Sequence, residues 1–172
     1  QNRSSMLIGA DSSGVSDSGE TENVCLTDDT FSGGMRTDYN RLAELYKQYL
    51  PASSFMVIET GDMERLEAFK GYMRSEAYEA CRQDTIKRID GFIKKILEQE
   101  NCKTLLLISA YPSESNAKEG DKLTPLVVYE RKGGGVLYSG NTRREGIILN
   151  TDIADYILLK LGYLSDCSVE EF

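Results

Sequence analysis

Histidine and tryptophan are absent from the 172 residues, and proline occurs only three times. Imidazole is the commonest metal ligand and the usual general base near neutral pH, so its absence argues against most metal-dependent and hydrolytic chemistry. Paired cysteines are lacking too. Cys25, Cys81, Cys102 and Cys167 form no CxxC, which excludes zinc-ribbon and thioredoxin readings. They are expected to be buried free thiols, with a Cys81–Cys102 disulfide left open by the sequence. No apolar run approaches the ~18 residues of a membrane span, so no membrane insertion is expected in this segment. Basic residues are the minority, 20 against 28 acidic ones, for a net charge of −8. That balance makes nucleic acid and anionic membrane poor partners, and the scattered acids read as a solvated surface.

What remains is sufficient for a single α/β domain over 1–172. A polar QNRSS tail at 1–5, with no initiator methionine or signal-peptide pattern, leads to the expectation of an excised piece of a longer protein. Residues 6–10 (MLIGA) are strand-like and stop at Asp11-Ser12-Ser13-Gly14. Residues 12–23, rich in Ser, Gly, Asp and Glu, are expected to form an exposed, mobile loop. A short strand is expected at 24–26. A helix follows from Thr37 or Asp38 to Pro51, with Leu42, Leu45, Tyr46 and Tyr49 at helical spacing.

Residues 54–59 (SFMVIE) form a buried-strand candidate, and 63–73 a short helix. A long helix over 75–100 carries the stripe Ile86, Ile89, Ile93, Ile96 and Leu97. Residues 103–110 (KTLLLISA) are apolar almost without alternation, as in the centre of a parallel sheet covered on both faces. After a polar loop at 113–122 come a strand at 125–129 (PLVVY), a hairpin-type glycine turn at 133–135, and strands at 136–138 and 146–149. A last helix runs from Thr151 or Asp152 to Gly162. This alternation predicts a three-layer α/β/α sandwich with a mainly parallel sheet.

Residues 122–162, KLTPLVVYERKGGGVLYSGNTRREGIILNTDIADYILLKLG, resemble the C-terminal core of the alkaline phosphatase superfamily. That group includes sulfatases, phosphodiesterases and cofactor-independent phosphoglycerate mutases. The Pro-led strand, the glycine turn, the strand before TDI and the helix ADYILLKLG carry the resemblance, which extends back to residue 54. It implies a two-metal site with Asp and His ligands and a Ser or Thr nucleophile. In the D-x-x-x-H match, Asp62 is kept and Leu66 stands where histidine would be. In the Asp-His-Gly match, Ala110-Tyr111-Pro112-Ser113 supplies neither ligand, and 120–123 lacks the third histidine. Asp84 is the other residual ligand-like position. Two isolated carboxylates cannot assemble such a site, so neither metal nor cofactor is expected. Asp62 also reads as a cap of the helix after Gly61, and Asp84 as solvated helix surface.

Thr142-Arg143-Arg144 offers a fork for a phosphate or carboxylate, or a scaffold role in which the arginines pair with acidic loop residues. Asp11 and Ser12 sit at the C-terminal end of a predicted strand, where open α/β sheets place ligands, but Ser12 has no histidine base. The expected function is a non-catalytic, degenerate alkaline phosphatase-like domain. It would serve as a binding or structural module of a larger protein, with the remainder of that chain and a small anionic ligand as partners. One alternative is a fragment of a metal-dependent phospho- or sulfo-hydrolase completed by upstream sequence. Another is a phosphate or sugar-phosphate binding module. The resemblance also implies work on the extracytoplasmic face of a membrane-anchored parent.

Overall fold

The computed structural model describes residues 18–171 apart from 110, 132 and 134. The strand expected at 6–10, and with it Asp11 and Ser12, lie outside the described residues. Residues fall into two compact units, one within 1–101 and the other within 102–172.

The first unit opens with an antiparallel pair, β1 (Cys25–Thr27) and β2 (Met35–Thr37), registered so that Cys25 faces Thr37. In the turn between them, the Thr30 hydroxyl and then the Arg36 guanidinium, 2.6 Å away, hold the Asp28 carboxyl down at about 2. Helix α1 (Tyr39–Tyr49) follows at once, because the Asp38 carboxylate accepts the amides of Asn40 and Arg41, both at 3.0 Å. Its apolar face of Leu42, Leu45 and Tyr46 is buried, and Pro51 ends it in a 3-10 turn. Helices α2 (Asp62–Phe69) and α1 both pack on the long helix α3 (Ser75–Leu97). Phe92 and Ile96 supply the α3 side of this core, with Phe92 tilted against Tyr39 at 5.8 Å between ring centroids. The predicted α3 stripe is displaced. Thr85 is fully buried while Ile86 is exposed, so the inward face begins one residue earlier.

The second unit contains β3 (Thr104–Ile108), a five-residue helix α4 (Glu114–Lys118), β4 (Leu126–Glu130), β5 (Leu137–Ser139), β6 (Arg144–Glu145), α5 (Asn150–Lys160) and β7 (Val169–Glu171). β3 pairs antiparallel with β4, and β5 lies between β6 and β7, antiparallel to both.

The expected three-layer sandwich with a mainly parallel sheet is therefore corrected. Among the described residues every ladder is antiparallel and holds two or three strands. An uninterrupted apolar run such as TLLLI specifies burial but not the direction of its partner. Here the chain between β3 and β4 turns back instead of crossing over, with Ile108 opposite Leu126. Residues 54–59 form no strand, and Phe55 and Ile58 are exposed. The strand expected at 146–149 sits instead at Arg144–Glu145, and β4 and β5, which flank the glycines of 133–135, belong to separate ladders. All four cysteines are free, but only Cys102 is buried. No described helix is long and apolar enough to cross a membrane.

Candidate functional site

Each unit is organised around one buried aspartate in the first turn of a helix. In the first unit this residue is Asp62, 1% exposed. Gly61 precedes α2 with φ +64°, a left-handed conformation that favours glycine, and a Cβ there would meet Arg65 Nη1 at 2.8 Å. The turn delivers the Asp62 carboxylate to the end of β2. Oδ1 accepts the Thr37 amide at 2.7 Å, the Thr37 hydroxyl at 2.9 Å and Arg65 Nη2 at 2.6 Å, while Oδ2 accepts the Tyr39 hydroxyl at 2.8 Å. Arg65 Nη2 also donates to Thr37 Oγ1 and to the Thr60 carbonyl, the alternative acceptor for the single Thr37 hydroxyl proton. Burial, then the bond and charge of Asp62, push the Tyr39 phenol well above its ordinary range. The phenol therefore stays a donor to the carboxylate.

The second unit repeats this plan with different residues. Asp152 is 1% exposed and Ser139, the last residue of β5, is fully buried. Asp152 Oδ2 accepts the Ser139 hydroxyl at 2.6 Å and the Leu149 amide at 3.0 Å. Its Oδ1 accepts Asn141 Nδ2 at 2.6 Å and the Ser168 hydroxyl at 3.4 Å. Burial raises the Asp152 carboxyl, but the bonds from Ser139, Asn141, Leu149 and Ser168 outweigh it and hold the group below its ordinary value. The network ties β5, the β5–β6 turn, the start of α5 and the residue before β7 into one knot.

These two aspartates differ in how far the sequence foretold them. Asp62 was singled out, although as a cap or ligand, and it is instead the first helical residue with its carboxylate turned to β2. Asp152 was read only as a helix start. The available signal was its place as the third helical residue, where an acid can reach back to the amide preceding the helix. Its hydroxyl and amide partners come from 13 and 11 residues away, a spacing that carries no local pattern.

The other predicted residues are not gathered with them. Asp84 lies on the exposed side of α3, paired with Arg88 Nε at 2.6 Å one turn on, a solvated helix pair. Leu66, at the position the resemblance assigns to histidine, is 0% exposed within the core of the first unit. Thr142 and Arg143 lie in the β5–β6 turn, and Arg144 opens β6 opposite Ser139. The Arg143 amide bonds the Ser139 carbonyl at 2.8 Å, and Arg143 takes the left-handed φ of +55°. The Thr142 hydroxyl is spent on the Ile147 carbonyl at 2.5 Å. Both guanidiniums are exposed, and among the described residues neither forms a salt bridge. Among the described residues, no acidic loop partner of the kind expected forms a salt bridge with them.

A two-metal centre does not fit this arrangement. Both oxygens of Asp62 are engaged, its helical neighbour is a core leucine, and among the described residues no three His, Cys, Asp or Glu side chains gather to hold a metal ion. Comparisons with protein-family models, with curated proteins and with solved structures found no match.

Proposed function

We propose that the chain is a non-catalytic module that acts by binding within a larger assembly. The observation that supports this reading is the use made of its two buried carboxylates. Asp62 and Asp152 each have both oxygens occupied by donors from neighbouring elements. Such carboxylates hold strand ends to helix starts and leave no base or ligand free for a substrate. The surface suited to a polypeptide partner is the β3–β4 ladder. Leu107, Val127 and Tyr129 are exposed on one face of it, and β3 itself carries no charge. The expected result of titrating Zn²⁺, Mn²⁺ or Mg²⁺ at near-stoichiometric amounts is an unchanged melting temperature. Metal bound only by the native state would raise it, and a rise of several degrees would overturn the non-catalytic reading.

A second reading is favoured by the guanidiniums of Arg143 and Arg144, which form no salt bridge among the described residues and suit a phosphate or sugar phosphate. In this reading, inorganic phosphate binds saturably to the wild-type chain at low salt. The double substitution Arg143→Ala/Arg144→Ala abolishes the binding while leaving thermal stability within about 0.5 kcal/mol, as for exposed side chains. Equal affinity in the double variant would exclude this turn as the site.

A further inference from the structure

Helix α3 carries two apolar faces, and the core of the first unit uses one of them. Thr85, Phe92 and Ile96 are its buried residues. Beside them Ile86, Ile89, Ile93 and Leu97 follow one another at helical spacing, within about 80° of the helix circumference at 3.6 residues per turn. Ile86 is 40% exposed, and the other three are half-buried. One such stripe is enough to hold a surface helix to its core. The outer border of the second stripe carries charges of alternating sign, Lys87, Asp90, Lys94 and Glu98, all exposed. Glu98, just past the last turn, still has helical dihedrals. Alternation at this spacing ordinarily closes ion pairs within a helix. Elsewhere on α3 it does so, Glu79 with Arg82 and Asp84 with Arg88. Among the described residues none of the four border charges forms a salt bridge.

We propose that this stripe is a homodimer interface, in which α3 of one chain packs antiparallel on α3 of a second copy. Read in reverse, a border of plus, minus, plus, minus becomes its own complement. Setting Ile86 against Leu97 of the second copy brings Lys87 beside that copy's Glu98 and Asp90 beside its Lys94. Each pair is then level to within one or two residues, about 3 Å or less at 1.5 Å per residue, which long side chains span. A two-fold axis repeats both contacts, whereas a parallel pair would set each charge against its own like. The net charge of −8 makes repulsion the default between copies, and the matched border is the local exception. This interface lies wholly within the first unit, and it neither needs nor tests the module reading.

Sedimentation equilibrium of the full chain from about 5 to 200 µM tests the assignment, in the range where small interfaces associate. A reversible monomer–dimer equilibrium is expected. Lys87→Glu/Lys94→Glu makes the border wholly acidic, and Asp90→Lys/Glu98→Lys makes it wholly basic. Each double variant alone should raise the dimer dissociation constant about tenfold or more. Its melting temperature at low concentration should stay near that of the wild type, because the substituted side chains are exposed. Mixing the two variants in equal amounts should restore a heterodimer of at least wild-type affinity. A wild-type chain that stays monomeric throughout the range overturns the proposal. So does a dimer that survives both charge reversals or Ile86→Asp, or a mixture that associates no better than either variant alone.

Discussion

Replacing Asp62 with alanine is expected to destabilise the first unit by about 3 kcal/mol, near the lower bound for removing one partner of a buried ion pair. The substitution leaves the Thr37 amide and the Tyr39 hydroxyl without their acceptor, and both belong to buried residues. It also strands the Arg65 guanidinium, whose Nε already lacks a partner. Arg65 is about one-third exposed, and water reaching it moderates the loss. Asp62→Asn keeps an acceptor for Thr37 but loses the charge opposite Arg65, so its cost should be intermediate. Urea unfolding followed by circular dichroism measures both, and the comparison is sharpest in an Arg65→Met background. There, Asp62→Ala should cost clearly less, because no cation is left uncompensated. An equal cost in both backgrounds would mean that the ion pair contributes nothing to the knot.

The corresponding substitution in the second unit, Asp152→Ala, is expected to cost about 3 kcal/mol through the loss of acceptors for buried donors. Among the described residues no cation forms a salt bridge with this carboxylate, and the Ser139 hydroxyl, the Leu149 amide and the Asn141 side chain bond it directly. This makes the second unit pH-sensitive with a definite sign. The carboxyl is held below its ordinary 3.8 in the folded state. Its ionised form therefore contributes stability that is fully present above that value and is lost as pH falls through the folded-state value. Melting temperatures recorded between pH 6 and 2 should fall more steeply for the wild-type chain than for Asp152→Asn. Parallel slopes would show that another carboxylate governs the acid transition. Asp28, held at about 2 beside Thr30 and Arg36, titrates in the same range in the first unit. An Asp28→Asn control separates the two contributions.

The helices were legible because their signals are local. Asp38, the Leu42, Leu45 and Tyr46 spacing and Pro51 bracket α1 within two residues of its observed ends, and the 3.6-residue period marked α3. Strand existence was partly legible, since TLLLI and LVVYE are apolar runs of strand length. Strand pairing was not. A ladder is closed by hydrogen bonds between residues far apart in sequence, and the same run can pair in either direction. The unalternating apolar run of TLLLI and the succession of strands and helices read as a parallel sheet, and the antiparallel registers of β3–β4 and β5–β7 overturned that reading.

The same division holds for the candidate site. The lack of histidine, the minority of basic charge and the isolated cysteines are properties of composition, legible without any structure. Tertiary structure alone decided what its carboxylates do. Asp62 and Asp84 look alike as candidate ligands in the sequence, yet one is buried beneath Thr37 and Tyr39 and the other is paired with Arg88 in solvent. Asp152, read in the sequence only as a helix start, joins the end of β5, the β5–β6 turn and the start of α5. The physical reason is that an acid's role follows from its desolvation and its donors, and both are set by residues that folding brings together.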